Sequence, residues 1–271
     1  MRRILILLSV LLAAAPLLRA SAAPAAGSPE AVVEKAFDAL YHNRIPEFIQ
    51  ALHPDALKEF RSSILELLDL VAKKGHPEIL TEAFQGVANA EELKKLDAAA
   101  MLTARFANLT SSPRVKMSWE STKVEAVGSV LDGQDRAYVV CRSKTTIGDV
   151  MIQRFSVVAA RKSGEDWKMS MPDEFTGELA LMKQSVAEVP KPPNFAATKF
   201  EPLGHVMDGK DAAMVVYRME TPVGETSLTR INVLRSTPDD PEWANVLKDE
   251  KAATLELLKR KVPLPQASDA R

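Results

Sequence analysis

Cysteine is almost absent from this chain. Cys141 stands alone among 271 residues, so no intramolecular disulfide can form and the fold must rest on its core, even in an oxidising compartment. Histidine is nearly as scarce, and His42, His53, His76 and His205 show no metal-ligand spacing. No G-x-S-x-G sequence, phosphate-binding loop or paired metal motif occurs, and no cofactor is expected. Neither sign of charge dominates. Lys and Arg number 35 against 36 Asp and Glu, which gives no footprint for nucleic acid or for an anionic membrane in the overall balance.

Long apolar runs are missing too, apart from one at the start. Arg2-Arg3 precede an apolar stretch from Ile4 to Leu18, followed by Ala20-Ser21-Ala22. A basic opening, a short apolar segment and a small-x-small site read as a secretory signal peptide over residues 1–22. An uncleaved anchor is the alternative. The run is short for a span of about 20 residues, and Pro16 and Arg19 interrupt its end. No cysteine follows it, so a lipid-modified N-terminus is not expected. Without Arg2, Arg3 and Arg19 the charge balance becomes 32 against 36. The expected destination is the periplasm or the exterior.

What the chain does have is itself, twice. Thr122–Glu174 lies over Thr198–Glu250 at a constant offset, with about 19 of 53 paired positions identical. Thr122-Lys123-x-Glu125 matches Thr198-Lys199-x-Glu201, and Gly128 matches Gly204. Asp132-Gly133-x-Asp135 matches Asp208-Gly209-x-Asp211, and Val139-Val140-x-Arg142 matches Val215-Val216-x-Arg218. Trp167 matches Trp243. Cys141 corresponds to Tyr217, an exchange that suits a packing position and not a nucleophile.

Ahead of the repeat the periodicity is helical. After a flexible linker at residues 23–28, Ser28-Pro29 opens a helix with Val33, Phe37 and Leu40 on one face. A short helix over Pro46 to Leu52 follows. A longer one starts at His53-Pro54-Asp55, carries Leu57, Phe60, Ile64, Leu67 and Val71, and stops at Gly75. Glu78 to Phe84 reads as another helical turn or two. Asn89 caps a further helix expected to run past Leu93, Leu96, Ala100 and Ala104 to Ser111-Ser112-Pro113. From Arg114 onward the composition reads as strand.

Strands are expected at Val115–Val130, Arg136–Thr146 and Val150–Arg161, with a short fourth at Trp167. A helix over Phe175–Val186 would close a domain at residues 29–187. The connector at residues 188–197 holds Pro190, Pro192 and Pro193 and should be stiff and extended. The second copy, residues 198–262, should give strands at Phe200–Met207, Ala212–Thr221 and Thr226–Ser236, then a helix from Asn245 to Lys261. A tail at residues 263–271 ends the chain. The fold class is α+β: N-terminal helices packed on a curved antiparallel sheet, with the meander duplicated in the C-terminal half. A meander alone is marginal, so the two copies should join edge to edge into one sheet or pack face to face.

Ala137, Val139, Cys141, Phe155, Val157 and Ala159, with Ala213, Val215, Tyr217, Ile231 and Val233, form the expected buried face. Four arginines recur in step: Arg142, Arg154, Arg218 and Arg230. A hairpin centred on Gly148 would set Arg142 opposite Arg154, whereas a two-residue Gly-Asp turn would separate them. The first register makes a twice-built anion or carboxylate site. The ordinary alternative is pairing with Glu125 and Glu201 on a solvated face. Asp132-Gly133 and Asp208-Gly209 lack the oxygen spacing of a calcium loop and are turns. His53 suits a helix start, with catalysis beside Asp55 or Asp38 as its sharper reading. Trp167 and Trp243 are expected to pack.

Residues 28–171 resemble the nuclear transport factor two-like superfamily, cone-shaped α+β proteins that include ketosteroid-isomerase-like enzymes. Pro29-Glu30-x-Val32-Val33, Phe48-x-x-x-Leu52-His53-Pro54-Asp55 and Gly164-Glu165-Asp166-Trp167-Lys168-Met169 carry the likeness. The helical section from Ala56 to Leu109 is longer than that family needs, and the second meander has no helical half of its own. The resemblance implies an apolar pocket between curved sheet and helices, used for acid–base catalysis, for ligands or for partners. The expected function is a non-catalytic binding or assembly module of the bacterial cell envelope. The competing expectation is a small-molecule isomerase- or lyase-like enzyme with an acid or base in that pocket. A small apolar ligand, an envelope protein or a second copy of the chain through its sheet are the partner classes in view, with no nucleic acid among them.

Overall fold

Ser28 accepts a hydrogen bond from the Ala31 N–H, and Pro29 occupies the first turn, so helix α1 (Pro29–Tyr41) starts where the serine–proline pair places it. The computed structural model describes residues 27–75, 78–171, 183, 193–224 and 226–263. The leader, most of the 23–28 linker, Pro190, Pro192 and residues 264–271 lie outside these. So does the helix read at Phe175–Val186, except Lys183, whose ammonium pairs with Glu66.

Helices α2 (Ile45–Ala51) and α3 (Pro54–Lys73) follow, then α4 (Glu78–Thr81) and α5 (Ala90–Lys95). His53 is the cap of α3: its Nδ1 accepts the Asp55 N–H at 3.1 Å, and its backbone N–H donates to the Met169 carbonyl at 2.8 Å. The helix expected to run unbroken from Asn89 is two. Leu96 turns extended and Asp97 caps α6 (Ala98–Thr110), its carboxylate accepting the Ala100 N–H at 2.7 Å. An aspartate three residues before a free N–H offers a new start that apolar spacing does not reveal. The expected strand at Val115 is also corrected. Ser112-Pro113 opens α7 (Pro113–Glu120), proline at its first turn starting a helix as well as ending one.

Two antiparallel sheets follow. Sheet 1 runs β1 (Thr122–Asp132), β2 (Arg136–Ile147), β3 (Val150–Ser163), β4 (Asp166–Met169); sheet 2 runs β5 (Lys199–Met207), β6 (Ala213–Val223), β7 (Thr226–Ser236). Both first strands carry a register shift at the same place, between Ala126 and Gly128 and between Pro202 and Gly204. Thr122 and Thr145 share a hydroxyl hydrogen bond of 2.8 Å, and Thr198 and Thr221 one of 3.0 Å. The meander is therefore present twice, in one register. The correspondence stops after β7: Trp167 lies on β4, but Trp243 opens a short helix, α8 (Trp243–Val246). Pro238 and Pro241 stand where a fourth strand would form. Leu247–Glu250 then break the helix expected from Asn245, and α9 is Lys251–Lys261.

The sheets pack face to face, β1 on β5, β2 on β6 and β3 on β7. Each strand thus meets its own counterpart, the reciprocity of a two-fold dimer interface inside one chain. The hairpin turn at Gly148-Asp149 has two residues, pairing Arg142 with Phe155 and Ser143 with Arg154. This overturns the expected single buried face. Val139, Cys141, Val158 and Ala160 face the helices, while Tyr138, Val140, Val157 and Phe155 face sheet 2. In sheet 2, Met214, Val216, Ile231 and Val233 face sheet 1, while Ala213, Val215 and Leu234 face α8 and α9. The order of layers is helices, sheet, sheet, helices. Both central strands are buried on both faces, which is why Ala137–Cys141 and Ala213–Tyr217 read as unbroken apolar runs.

Candidate functional site

The four arginines separate by face. Arg142 and Arg218 point between the sheets; Arg154 and Arg230 are exposed on the outer faces, opposite Ser143 and Met219. The two inner guanidiniums are already engaged. Arg142 donates to Glu125 Oε2 at 3.1 Å, reaches across to Asp208 of the other sheet, and lies 5.5 Å from the centre of the Phe155 ring. Arg218 pairs with Glu201 and crosses back to the Tyr138 hydroxyl at 3.4 Å, which in turn donates to Asp132 at 3.3 Å. Asp132 and Asp208 are matched positions, so the same bridge is built in both directions. In the first copy Tyr138 completes it, where the second has Met214. These groups fasten one sheet to the other, and their charges are met within the protein.

Carboxylates of the covering helices do the same on the outside. Glu34 accepts the Ala126 N–H at 2.6 Å, and Glu30 accepts the Ser129 hydroxyl at 2.5 Å, tying α1 to β1. Buried Asp240 binds Ser236 Oγ and the Thr237 N–H, both at 3.0 Å, as well as Arg260 and Lys261 of α9. Burial pushes its pKa up, but hydrogen bonds from Lys261, Thr237, Ser236 and Arg260 outweigh that and hold it down at about 2. Cys141 is buried, and desolvation, assisted by the nearby Glu34 charge, raises its thiol to about 12. Such a thiol is no nucleophile. Among the described residues no cluster of three His, Cys, Asp or Glu side chains is placed to hold a metal.

One concave surface combines these elements. Beside the register shift of β5, a cleft of ≈ 350 Å³ opens between the β1 and β5 strands and the start of α9. Val130, Leu131, Leu203, Val215 and Val246 supply apolar walls; His205, Asp249, Lys251 and Thr254 supply polar groups. His205 Nδ1 lies 2.8 Å from Asp249 Oδ1, and its side chain is 15 % exposed. Asp249 adopts a left-handed backbone with φ 55, a conformation uncommon outside glycine. An imidazole oriented by a carboxylate at the rim of a cleft can donate or accept one hydrogen bond to a ligand. Histidine scarcity and lack of spacing hid this pair, which forms between residues 44 apart. The one available signal was the repeat itself. Position 205 corresponds to Ser129, which binds a helix carboxylate in the first copy, so a polar partner at 205 follows from the match.

Compared with protein-family models, with curated proteins and with solved structures, the chain matches none.

Proposed function

We propose that this chain is an exported, non-catalytic binding module of the bacterial cell envelope, built by tandem duplication of one β-meander, and that its ligand surface is the cleft at His205. The cleft carries the reading. It joins apolar walls to a few convergent polar groups, the usual make-up of a small-molecule site. Its ligand class is a small, largely apolar molecule with one polar group for His205 or Lys251.

Two further features support binding over chemistry. Shielded ionisable pairs such as Arg142–Asp208 and Asp240–Lys261 join one layer to another. The space between the helices and sheet 1, where a cone-pocket enzyme would keep its acid or base, holds the fully buried Phe48, Phe106, Leu68, Met101, Leu102 and Met169. Export rests on the basic, apolar and small-residue order of residues 1–22.

Fractionation of cells expressing the tagged protein tests export: the envelope fraction should hold a product starting after about Ala22. Chemical-shift mapping against a library of small apolar acids and alcohols tests the cleft. Shifts should concentrate on His205, Val215 and Thr254 and be lost in His205→Ala. Shifts scattered elsewhere, or none at any concentration, would remove the proposed site.

A further inference from the structure

The balanced overall charge conceals a local imbalance at the tip of the β2–β3 hairpin. Ile147, Val150 and Met151 surround the Gly148-Asp149 turn and are 49 %, 62 % and 67 % exposed. Three cations stand just behind them. Lys144 precedes Ile147 by three residues, Arg154 follows Met151 by three, and Lys123 lies directly opposite Lys144. None of the three pairs with a described carboxylate. Two lysines side by side on neighbouring strands, neither paired with a described carboxylate, repel, which favours an anionic partner over them. Asp149, in the turn itself, is the acidic group at the tip.

The second copy shows that the fold does not need this tip. Its matching hairpin has the same two-residue spacing, with Val223 paired to Thr226 across Gly224. There Val223 is only 8 % exposed, and Thr226 and Ser227 replace Val150 and Met151. One backbone carries an apolar, exposed tip in one copy and a polar sequence in the other. Lys144 becomes Glu220, which faces Lys199, so the second hairpin has mixed charges where the first has a lysine pair.

We propose that the β2–β3 tip docks on anionic lipid, the apolar residues entering the membrane surface and Lys123, Lys144 and Arg154 meeting the headgroups. The geometry fits. At about 3.4 Å per residue along a strand, Lys144 stands about 10 Å behind Ile147, and apolar groups of surface-bound segments enter about 5–10 Å. Cations within reach of an anionic surface add attraction that salt weakens. No helix among the described residues is long and apolar enough to cross a membrane, and the proposed contact is confined to the hairpin tip. It is independent of the cleft and of export, because vesicles alone test it.

The purified protein is mixed with phosphatidylcholine vesicles, or with mixed phosphatidylcholine–phosphatidylglycerol vesicles, at low and high salt. Binding to the mixed vesicles alone, weakened by salt, is expected. Val150→Asp with Met151→Asp should reduce partitioning at least about tenfold, as should Lys123→Glu with Lys144→Glu. Ser227→Asp on the other hairpin should leave it unchanged. Lys144 is half-buried and the other four positions are exposed, and an unchanged thermal melt confirms each variant's fold. A dye on Met151→Cys, which buried Cys141 does not compete for, should shift to the blue on the mixed vesicles. Absence of vesicle binding, or equal binding by the tip variants, overturns the proposal. So does a dimer in solution that Met151→Asp dissociates, since a second copy would then be what covers the patch.

Discussion

A Cβ at Gly204 would lie 2.8 Å from Val130 Cγ1, closer than two carbons can approach. The mirror relation holds 76 residues away in each direction, where a Cβ at Gly128 would meet Val206 at 3.3 Å. These two contacts set how closely the sheets approach. Gly204 also has φ 150, within the region that favours glycine. Gly204→Ala should therefore destabilise by about 2–3 kcal/mol and Gly128→Ala by about 1 kcal/mol. Urea unfolding checks both. Adding Val130→Ala should recover part of the Gly204→Ala loss, a non-additivity expected only of residues in contact.

The Arg142–Asp208 pair crosses between the sheets with both side chains largely shielded, 17 % and 21 % exposed. Removing one partner leaves the other poorly solvated. Arg142→Met should cost about 1–3 kcal/mol. Combined with Asp208→Asn in a double-mutant cycle it should show coupling of about 1 kcal/mol or more. Arg154→Met, on the outer face, should change stability by less than about 0.5 kcal/mol.

Acid should loosen the hold of Asp240 on the C-terminal helix. The folded-state pKa of Asp240 lies at about 2, below its ordinary 3.8. The stabilisation is therefore present in full above the unfolded value and fades as pH falls from about 4 through 2. It amounts to about 2 kcal/mol. Asp240→Asn should remove that pH dependence, and urea midpoints for both proteins between these pH values give the comparison.

Cys141 should resist thiol reagents in the native protein and react at once in urea. Its raised pKa has a second consequence. Once the pH exceeds the ordinary thiol value of 9.0, the unfolded thiol ionises while the native one keeps its proton, so alkali favours unfolding. Cys141→Ala should reduce this alkaline loss, and denaturation on either side of that pH measures it.

Much of this molecule was legible in the sequence because one segment checks the other. Strand ends at Met207, Ser236 and Val150 emerge from matched residues and Gly-containing turns. The helix starts at Ser28 and His53 emerge from caps. The hairpin register did not, since a turn of two residues or three around Gly148 leaves the same sequence and sends Arg154 to opposite faces. Nor did the sandwich, because alternation is lost in strands buried on both sides, as Ala137–Cys141 are. Ser112-Pro113 was ambiguous between a stop and a start. The cleft was least legible, since His205 and Asp249 meet only once the last helix has folded back on β5.

Everything functional proposed for the cleft depends on two meanders lying against each other about a local two-fold. In a sample with labelled valine methyls, nuclear Overhauser contacts should join Gly204 Hα to the Val130 methyls, and Gly128 Hα to those of Val206. Both should appear together. If strand shifts are intact over residues 122–163 and 199–236 but neither contact is seen, the sheets do not pack as described, and the cleft between β1, β5 and the last helix does not exist.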